Sequence, residues 1–281
     1  MGIIDGKMVA SQIKENITTE VQSLKKKTGK SPGLAVVLVG DDPASAVYVR
    51  NKNKTCNNIG FQSFENILPA NTSESELLNL IHKLNSDEKV NGILVQLPLP
   101  NHIASNKILE AINPQKDVDG FHLENVGRLV TGHSLFKPCT PAGIIKLLDK
   151  YDVEIEGKNA VIIGRSNIVG KPVAFLLLER NATVTICHSR TKNLSNLARS
   201  ADILIAAIGK PNFVTADMVK DNSVVIDVGI NRLAGKLVGD VDFPAVLKKA
   251  SLITPVPGGV GPMTIAMLME NTFQAFKNSL K

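Results

Sequence analysis

The sequence predicts an α/β protein of two units, each built on a mostly parallel sheet. Three observations carry that prediction. A length of 281 residues suits about two domains. Apolar, strand-like runs alternate with helical patterns in both halves of the chain, which is the signature of parallel βαβ units. Between the two alternating stretches lies a charged, turn-rich segment, Pro114-Gln115-Lys116-Asp117-Val118-Asp119-Gly120, and further on Pro138-Cys139-Thr140-Pro141.

Residues 7–27 read as a helix, with Met8, Ile13, Ile17 and Val21 at core spacing. Its last turn, Lys25-Lys26-Lys27, suits the negative end of the helix dipole. Residues 34–39 form an apolar strand, followed by the turn Gly40-Asp41-Asp42-Pro43 and a helix through 45–52. Pro43 fits the first helical turn, where a missing N–H costs nothing. Strand 62–68, helix 73–84 with Leu77, Leu78, Leu80 and Ile81 apolar, strand 92–96 and helix 103–112 complete the first half. A linker-like region leads to a helix over 142–151. In the second half, 160–163, 183–187, 203–207 and 224–228 are buried strands, with a short last one at 252–254. The segment 255–262, rich in Pro and Gly, reads as an irregular loop, and a helix over 263–280 closes the chain.

Composition narrows the function. Apolar content of 43% and charged content of 21% are ordinary for a globular protein. Trp is absent and aromatics are 4%, which argues against base-stacking platforms and so against nucleic acid as a partner. A net charge of +6 favours acidic partners, which include phosphates and polycarboxylates as well as nucleic acid. Cys56, Cys139 and Cys187 show no paired spacing, so a reducing compartment without disulfides is expected. Neither the cysteines nor the five scattered histidines have zinc spacing, so no metal is expected. Cys187 and His188 are neighbours on a strand and point to opposite faces, which rules them out as a nucleophile–base pair. The start, Met1-Gly2-Ile3-Ile4-Asp5-Gly6-Lys7, lacks a secretory pattern, and Gly6 stands where a myristoylation signal wants Ser or Thr. No apolar run reaches membrane-spanning length, so no membrane partner and a cytoplasmic location are expected.

The stretch Ser45-Ala46-Val47-Tyr48-Val49-Arg50-Asn51-Lys52 is the first candidate for chemistry. On a helix, Ser45, Tyr48 and Lys52 share one face. That face stands at the carboxyl end of a strand, where ligands bind in open α/β sheets. A partly desolvated Lys there loses its proton more easily and acts as a base. The alternative is a solvated helix lysine beside a core tyrosine.

The second candidate is a strand–glycine turn–helix, Gly164-Arg165-Ser166-Asn167-Ile168-Val169-Gly170-Lys171-Pro172. Such a unit presents backbone N–H groups to a pyrophosphate. It departs from G-x-G-x-x-G: Ser166 replaces the second glycine, and the third comes one residue late. The next strand ends in His188-Ser189-Arg190-Thr191-Lys192, without the acid that binds the ribose hydroxyls of NAD. With Arg165, that end suits a 2′-phosphate, so NADP is expected as cofactor; the alternative is a solvated strand end. Gly209 in I-G-K-P, and Gly229 with Ile230 in D-V-G-I-N, mark either close cofactor approach or ordinary turns.

Taken together, Ser45-x-x-Tyr48-Val49-x-x-Lys52, Val95-Gln96-Leu97-Pro98-Leu99-Pro100, Lys116-Asp117-Val118-Asp119-Gly120, Pro138-Cys139-Thr140-Pro141, the 164–172 turn and Pro255-Val256-Pro257-Gly258-Gly259-Val260-Gly261-Pro262-Met263-Thr264 resemble the bifunctional methylenetetrahydrofolate dehydrogenase/methenyltetrahydrofolate cyclohydrolase family. The blocks occur in family order over nearly the whole chain. The resemblance implies an N-terminal catalytic, folate-binding domain over 1–138 joined by the closing helix 263–281. It also implies a Rossmann-like NADP-binding domain over 139–262, with a cleft between the two, and a homodimer through the NADP-binding domains. It makes Lys52 the catalytic lysine, Gln96 its partner, Tyr48 the substrate-stacking tyrosine and Asp119 the carboxylate that holds the pterin. Ser45 matches a serine near the lysine, and Gly259, Val260, Gly261 and Pro262 border the folate. Arg165 and Ser189 match 2′-phosphate contacts, and Gly164, Ser166, Ile168, Gly170, Gly209 and Ile230 complete the cofactor set. Expected partners are tetrahydrofolate derivatives, including polyglutamylated ones. Two rival readings are a non-catalytic NADP-binding sensor and a shikimate-type dehydrogenase.

Overall fold

The computed structural model describes residues 2–281, the side chain of Ala44 excepted. The chain opens with β1 (Gly2–Ile3) and α1 (Gly6–Thr28). Then follow β2 (Gly33–Val39), α2 (Pro43–Asn58), β3 (Gln62–Leu68), α3 (Glu74–Ser86), β4 (Gly92–Val95), α4 (Ser105–Ala111) and α5 (Leu123–Val130). The second half runs α6 (Cys139–Lys150), β5 (Asn159–Ile163), α7 (Gly170–Glu179), β6 (Thr183–Cys187), α8 (Leu194–Arg199), β7 (Ile203–Ala206) and β8 (Val224–Asp227). The hairpin β9 (Asn231–Leu233) and β10 (Lys236–Val238), then α9 (Phe243–Val246), β11 (Leu252–Ile253) and α10 (Val260–Ser279), close it. The chain divides into two compact units. One holds Gln12–Lys137 and Leu268–Lys281; the other holds the chain up to Ser11 and Pro138–Met267.

The first unit is organised on a parallel sheet in the order β3-β2-β4. Every residue of β2 is buried, as a central parallel strand covered on both faces requires. Ala35, Val37 and Val39 pack with Ile93 and Val95 of β4 and with Leu77 and Ile81 of α3. Helix α3 starts cleanly because Ser73 and Glu76 cap each other's backbone N–H groups. Lys116 donates to the carbonyls of Leu84 (3.1 Å) and Asp87 (2.8 Å), and burial pulls its pKa down.

The second unit carries six parallel strands in the order β1-β11-β8-β7-β5-β6. From β5 the chain steps outward to β6, then crosses back to β7 on the other side. That reversal is the switch point where open α/β sheets bind ligands. Val161, Ile163, Leu204, Ala206 and Val225 form its core with Val241 and Ile253.

Several elements differ from what the sequence suggested. Residues 2–3 form a strand of the six-stranded sheet, with Gly2 N–H on Ser251 O (2.7 Å) and Ile4 N–H on Ile253 O (2.8 Å). The chain up to Ser11 therefore groups with 138–267, not with the residues that follow it. Two residues carry no periodic signal. Helix α5 occupies part of the supposed linker. Met8 is 45% exposed, and Val9 takes the core position instead. Helix α10 begins at Val260, so Val260, Gly261 and Pro262 are its first turn, not loop. Pro262 is tolerated there because the first N–H groups of a helix have no intrahelical partner.

Candidate active site

Helix α2 starts where it does because Asp42 accepts the Ser45 N–H at 2.7 Å and Pro43 follows it. Those hydrogen bonds from Ser45 hold the Asp42 carboxyl below the usual range. Ser45, Tyr48 and Lys52 then recur at offsets of three and four. Ser45 is buried, Tyr48 partly so, and Lys52 is only 8% exposed. The Lys52 Nζ donates to Gln96 Oε1 at 2.9 Å. Gln96 is fixed at both ends: its N–H bonds Val37 O and its Nε2 bonds Leu97 O, both at 2.8 Å. It follows directly on β4, so amine and amide meet at the carboxyl end of the sheet. The amide oxygen of Gln96 thus fixes where the buried amine sits.

Asp119 is partly buried in a turn whose anchor the sequence reading passed over. Asp117, 1% exposed, accepts the N–H groups of Phe121 (3.2 Å) and His122 (2.9 Å) and the Asn125 Nδ2 (2.8 Å). Burial raises its pKa, and these donors oppose the rise. Asn271 adds a clamp from α10, donating to the carbonyls of Val118 and Lys137 at 2.9 Å each. The alternation of Asp117 and Asp119 in K-D-V-D-G is the signal: one carboxylate is buried and holds the turn, while the other is partly exposed.

A broad basin of about 1210 Å³ opens in the same unit, lined by Lys30, Gln62, Asn91 and Arg128 among others. It lies at the starts of β3 and β4, the opposite end of the sheet from Lys52.

In the second unit, Gly164 has φ +137 and receives no Cβ without collision with the Ala207 carbonyl. A Cβ on Gly170 would likewise strike the Gly164 carbonyl. Ser166 replaces a glycine for a reason: its Oγ accepts the N–H groups of Val169 (3.1 Å) and Gly170 (3.2 Å) and so braces the turn. Arg165, Ser166 and Ile168 are exposed on this turn, and Ser189 and Arg190 are exposed beyond β6. No acid stands at that strand end. The arrangement fits a dinucleotide with a 2′-phosphate: a crowded glycine turn entering α7, and cations where a ribose-binding acid would stand. Cys187 is buried, which pushes its thiol pKa up, and His188 Nδ1 accepts the Arg190 N–H, so the two share no chemistry.

Gly209 and Ile230 are exposed after β7 and β8. Gly259 is buried, and its missing side chain serves its own loop: a Cβ would come within 2.6 Å of Pro255 O. Gly261 is open, with only Ile230 Cδ1 near its Cβ position, at 3.8 Å. Among the described residues no helix is long and apolar enough to cross a membrane, and no cluster of three or more His, Cys, Asp or Glu could hold a metal ion.

Two family models match the chain. Residues 4–119 match the tetrahydrofolate dehydrogenase/cyclohydrolase catalytic domain, and residues 138–280 match the NAD(P)-binding domain of the same family. The chain belongs to this family. The bifunctional protein FolD of Campylobacter hominis is 61% identical over 282 residues, covering 100% of this chain and 99% of that protein. The crystal structure of the bifunctional FolD enzyme, methylenetetrahydrofolate dehydrogenase/cyclohydrolase, of Campylobacter jejuni has a TM-score of 0.97 at 55% identity, covering 99% of both chains. The dehydrogenase–cyclohydrolase of Trypanosoma brucei, solved with NADP cofactor and an inhibitor, has a TM-score of 0.96 at 40% identity, covering 99% of this chain and 98% of that one. For a tetrahydrofolate dehydrogenase/cyclohydrolase, a sheltered amine on an amide and a glycine turn suited to a dinucleotide are the two parts its chemistry asks for.

Proposed function

We propose that the protein oxidises 5,10-methylenetetrahydrofolate with NADP and then hydrolyses the 5,10-methenyl product to 10-formyltetrahydrofolate. The observation that carries this reading is the Lys52 amine, 8% exposed and 2.9 Å from Gln96 Oε1, in a chain of this family. NADP, when bound, supplies the hydride acceptor. Hydride loss leaves a carbocation that the two flanking folate nitrogens stabilise, so the chain's task in that step is orientation. Tyr48 stacks on the aminobenzoyl ring, and Asp119 accepts N–H donors of the pterin. Ser45 supports Lys52, and Gly259, Val260, Gly261 and Pro262 border the folate.

The second step moves protons. Water adds to the methenyl carbon, Lys52 takes a proton from it, and the same amine returns a proton to the departing nitrogen as the ring opens. Gln96 cannot ionise and steers the amine through its Oε1. Arg165 and Ser189 take the 2′-phosphate. Gly164, Ser166, Ile168 and Gly170 receive the pyrophosphate, and Gly209 and Ile230 border the nicotinamide half. This reading takes the folate-binding domain as 1–138 and 263–281 and the NADP-binding domain as 139–262, although residues up to Ser11 and 263–267 belong to the compact unit that holds the latter.

Polyglutamylated folates suit the net charge of +6. A homodimer through the NADP-binding domain suits β6, an edge strand with Ile186 38% exposed, and the adjoining α7, on which Leu178 is 58% exposed. A cytoplasmic location fits three unpaired cysteines. Family membership removes the shikimate-type reading, and turnover is the measurement that separates the enzyme from the sensor. Purified protein given methylenetetrahydrofolate and NADP should form NADPH and then 10-formyltetrahydrofolate; binding of NADP without turnover would overturn the proposal.

A further inference from the structure

Two buried carboxylates outside the proposed chemistry tie together the loops after β7 and β8. Asp227, 2% exposed, ends β8; Asp240, 0% exposed, follows β10. Asp240 Oδ2 accepts the N–H groups of Ile208 (2.6 Å) and Gly209 (2.9 Å). Its Oδ1 accepts Lys210 N–H and Asn231 Nδ2, both at 2.9 Å. Asp240 N–H in turn donates to Asp227 Oδ1 at 2.9 Å, an oxygen that also takes the Gly229 N–H at 2.9 Å. Val241 N–H reaches Asp227 Oδ2 at 3.0 Å.

The packing around these carboxylates is tight. A Cβ on Gly229 would collide with Asp240 Oδ1, and one on Gly239 would collide with Asp227 Oδ2. Burial of two acids is costly unless their lone pairs are filled, and here backbone N–H groups and Asn231 fill them. Hydrophobic side chains would serve stability with less desolvation cost. What the carboxylates supply that apolar groups cannot is a fixed path for two loops. The segment 208–210 bends around the Asp240 carboxylate, and 228–231 is held by Gly229 N–H on Asp227 and by Asn231 Nδ2 on Asp240.

We propose that Asp240, seated on Asp227, is a positioning residue that holds the 208–210 and 228–231 loops in the shape that receives the nicotinamide half of NADP. This rests on the NADP reading above. Topology supplies the half: the 2′-phosphate is assigned to the β6 side of the switch point, so the dinucleotide's other end extends over β7 and β8. Because three consecutive N–H groups are spent on Asp240, this loop offers the cofactor shape and not an anion site.

The test is Asp240→Asn, which keeps the size and places an amide against N–H donors. Its KM for NADP should rise about tenfold, the cost of one charge-assisted interaction. The reference is the cofactor-free hydrolysis of methenyltetrahydrofolate by the same preparation, which counts the folded enzyme. If both activities fall in proportion and the KM for NADP is unchanged, the residue is merely structural and the proposal fails. Should Asp240→Asn not fold, Asn231→Ala removes a single donor and should raise that KM about threefold; an unchanged KM there also overturns it. A wild-type enzyme without turnover would instead indict the functional reading, so the two failures are distinct.

Discussion

Replacing Lys52 with Met separates the two reactions, because only the addition of water requires a titrating side chain. Met matches the length of the lysine stem and removes the donor to Gln96 Oε1. Gln96 keeps its backbone bond to Val37 O and its Nε2 bond to Leu97 O, so its place in the fold survives. Loss of that charge-assisted hydrogen bond costs about 1.5–3 kcal/mol, a shift of several degrees in Tm. The catalytic loss is larger: positioned acid–base groups contribute about 10²- to 10⁴-fold, or about 3–5 kcal/mol of barrier. Cyclohydrolase kcat should therefore fall at least about a hundredfold, while dehydrogenase kcat falls less than about tenfold. Both are read on one preparation, as NADPH formation and as loss of methenyl absorbance, with a melting curve as the folding control. Equal loss of the two activities in a folded variant would refute the reasoning and leave the amine a substrate-positioning group.

Other consequences are as direct. Asp119→Ala should raise the KM for folate about tenfold or more and leave NADP affinity unchanged, measured by initial rates. Arg165→Ala with Ser189→Ala should raise the KM for NADP about tenfold and leave that for NAD alone, which collapses any preference between them. Gly170→Ala should abolish NADP binding, read by calorimetry, because its Cβ would meet the Gly164 carbonyl. The Asp227 carboxyl is pushed up from 3.8 to about 6, chiefly by burial. A raised folded-state value means that its stabilisation is fully present below about pH 4 and is lost as pH rises through 6, by about 3 kcal/mol. The stability of the wild type relative to Asp227→Asn, from urea unfolding between pH 4 and 7, should decline by about that amount.

Periodicity and turn chemistry were enough to read the alternating halves, because β2, β5, β7 and β8 are apolar runs; 183–187 was expected to be buried too, but β6 lies at the sheet edge and only its Cys187 is buried. Lys52 and Gln96 lie 44 residues apart, and no periodicity pairs them. That pairing came from the family resemblance, and the 2.9 Å contact gives it geometry. Local pattern missed what long-range contacts create. Strand β1 exists only because Ser251 and Ile253 supply partners for residues 2–4. The hairpin β9–β10 turns at Ala234 and Gly235, both at positive φ, without the Asn-Gly or Asp-Gly signal that marks such turns. In sequence Asp117 lies in a turn-rich segment, Asp227 sits at the end of an expected strand and Asp240 carries no signal; only burial reveals them as anchors. Met8 was misjudged because Val9 and Ala10 beside it satisfy the same helical face.

Chemical rescue at position 52 tests most directly whether a titrating amine moves the proton. Cys56, Cys139 and Cys187 are at most 1% exposed against 8% for Lys52, so in Lys52→Cys the introduced thiol is the more accessible one, and mass spectrometry must place the alkyl group on position 52 alone. Aminoethylation, which rebuilds a lysine-like amine, should restore cyclohydrolase activity, and carbamidomethylation, which adds a neutral amide, should not. Restoration by both reagents, or by neither when mass spectrometry shows full modification, would contradict the account.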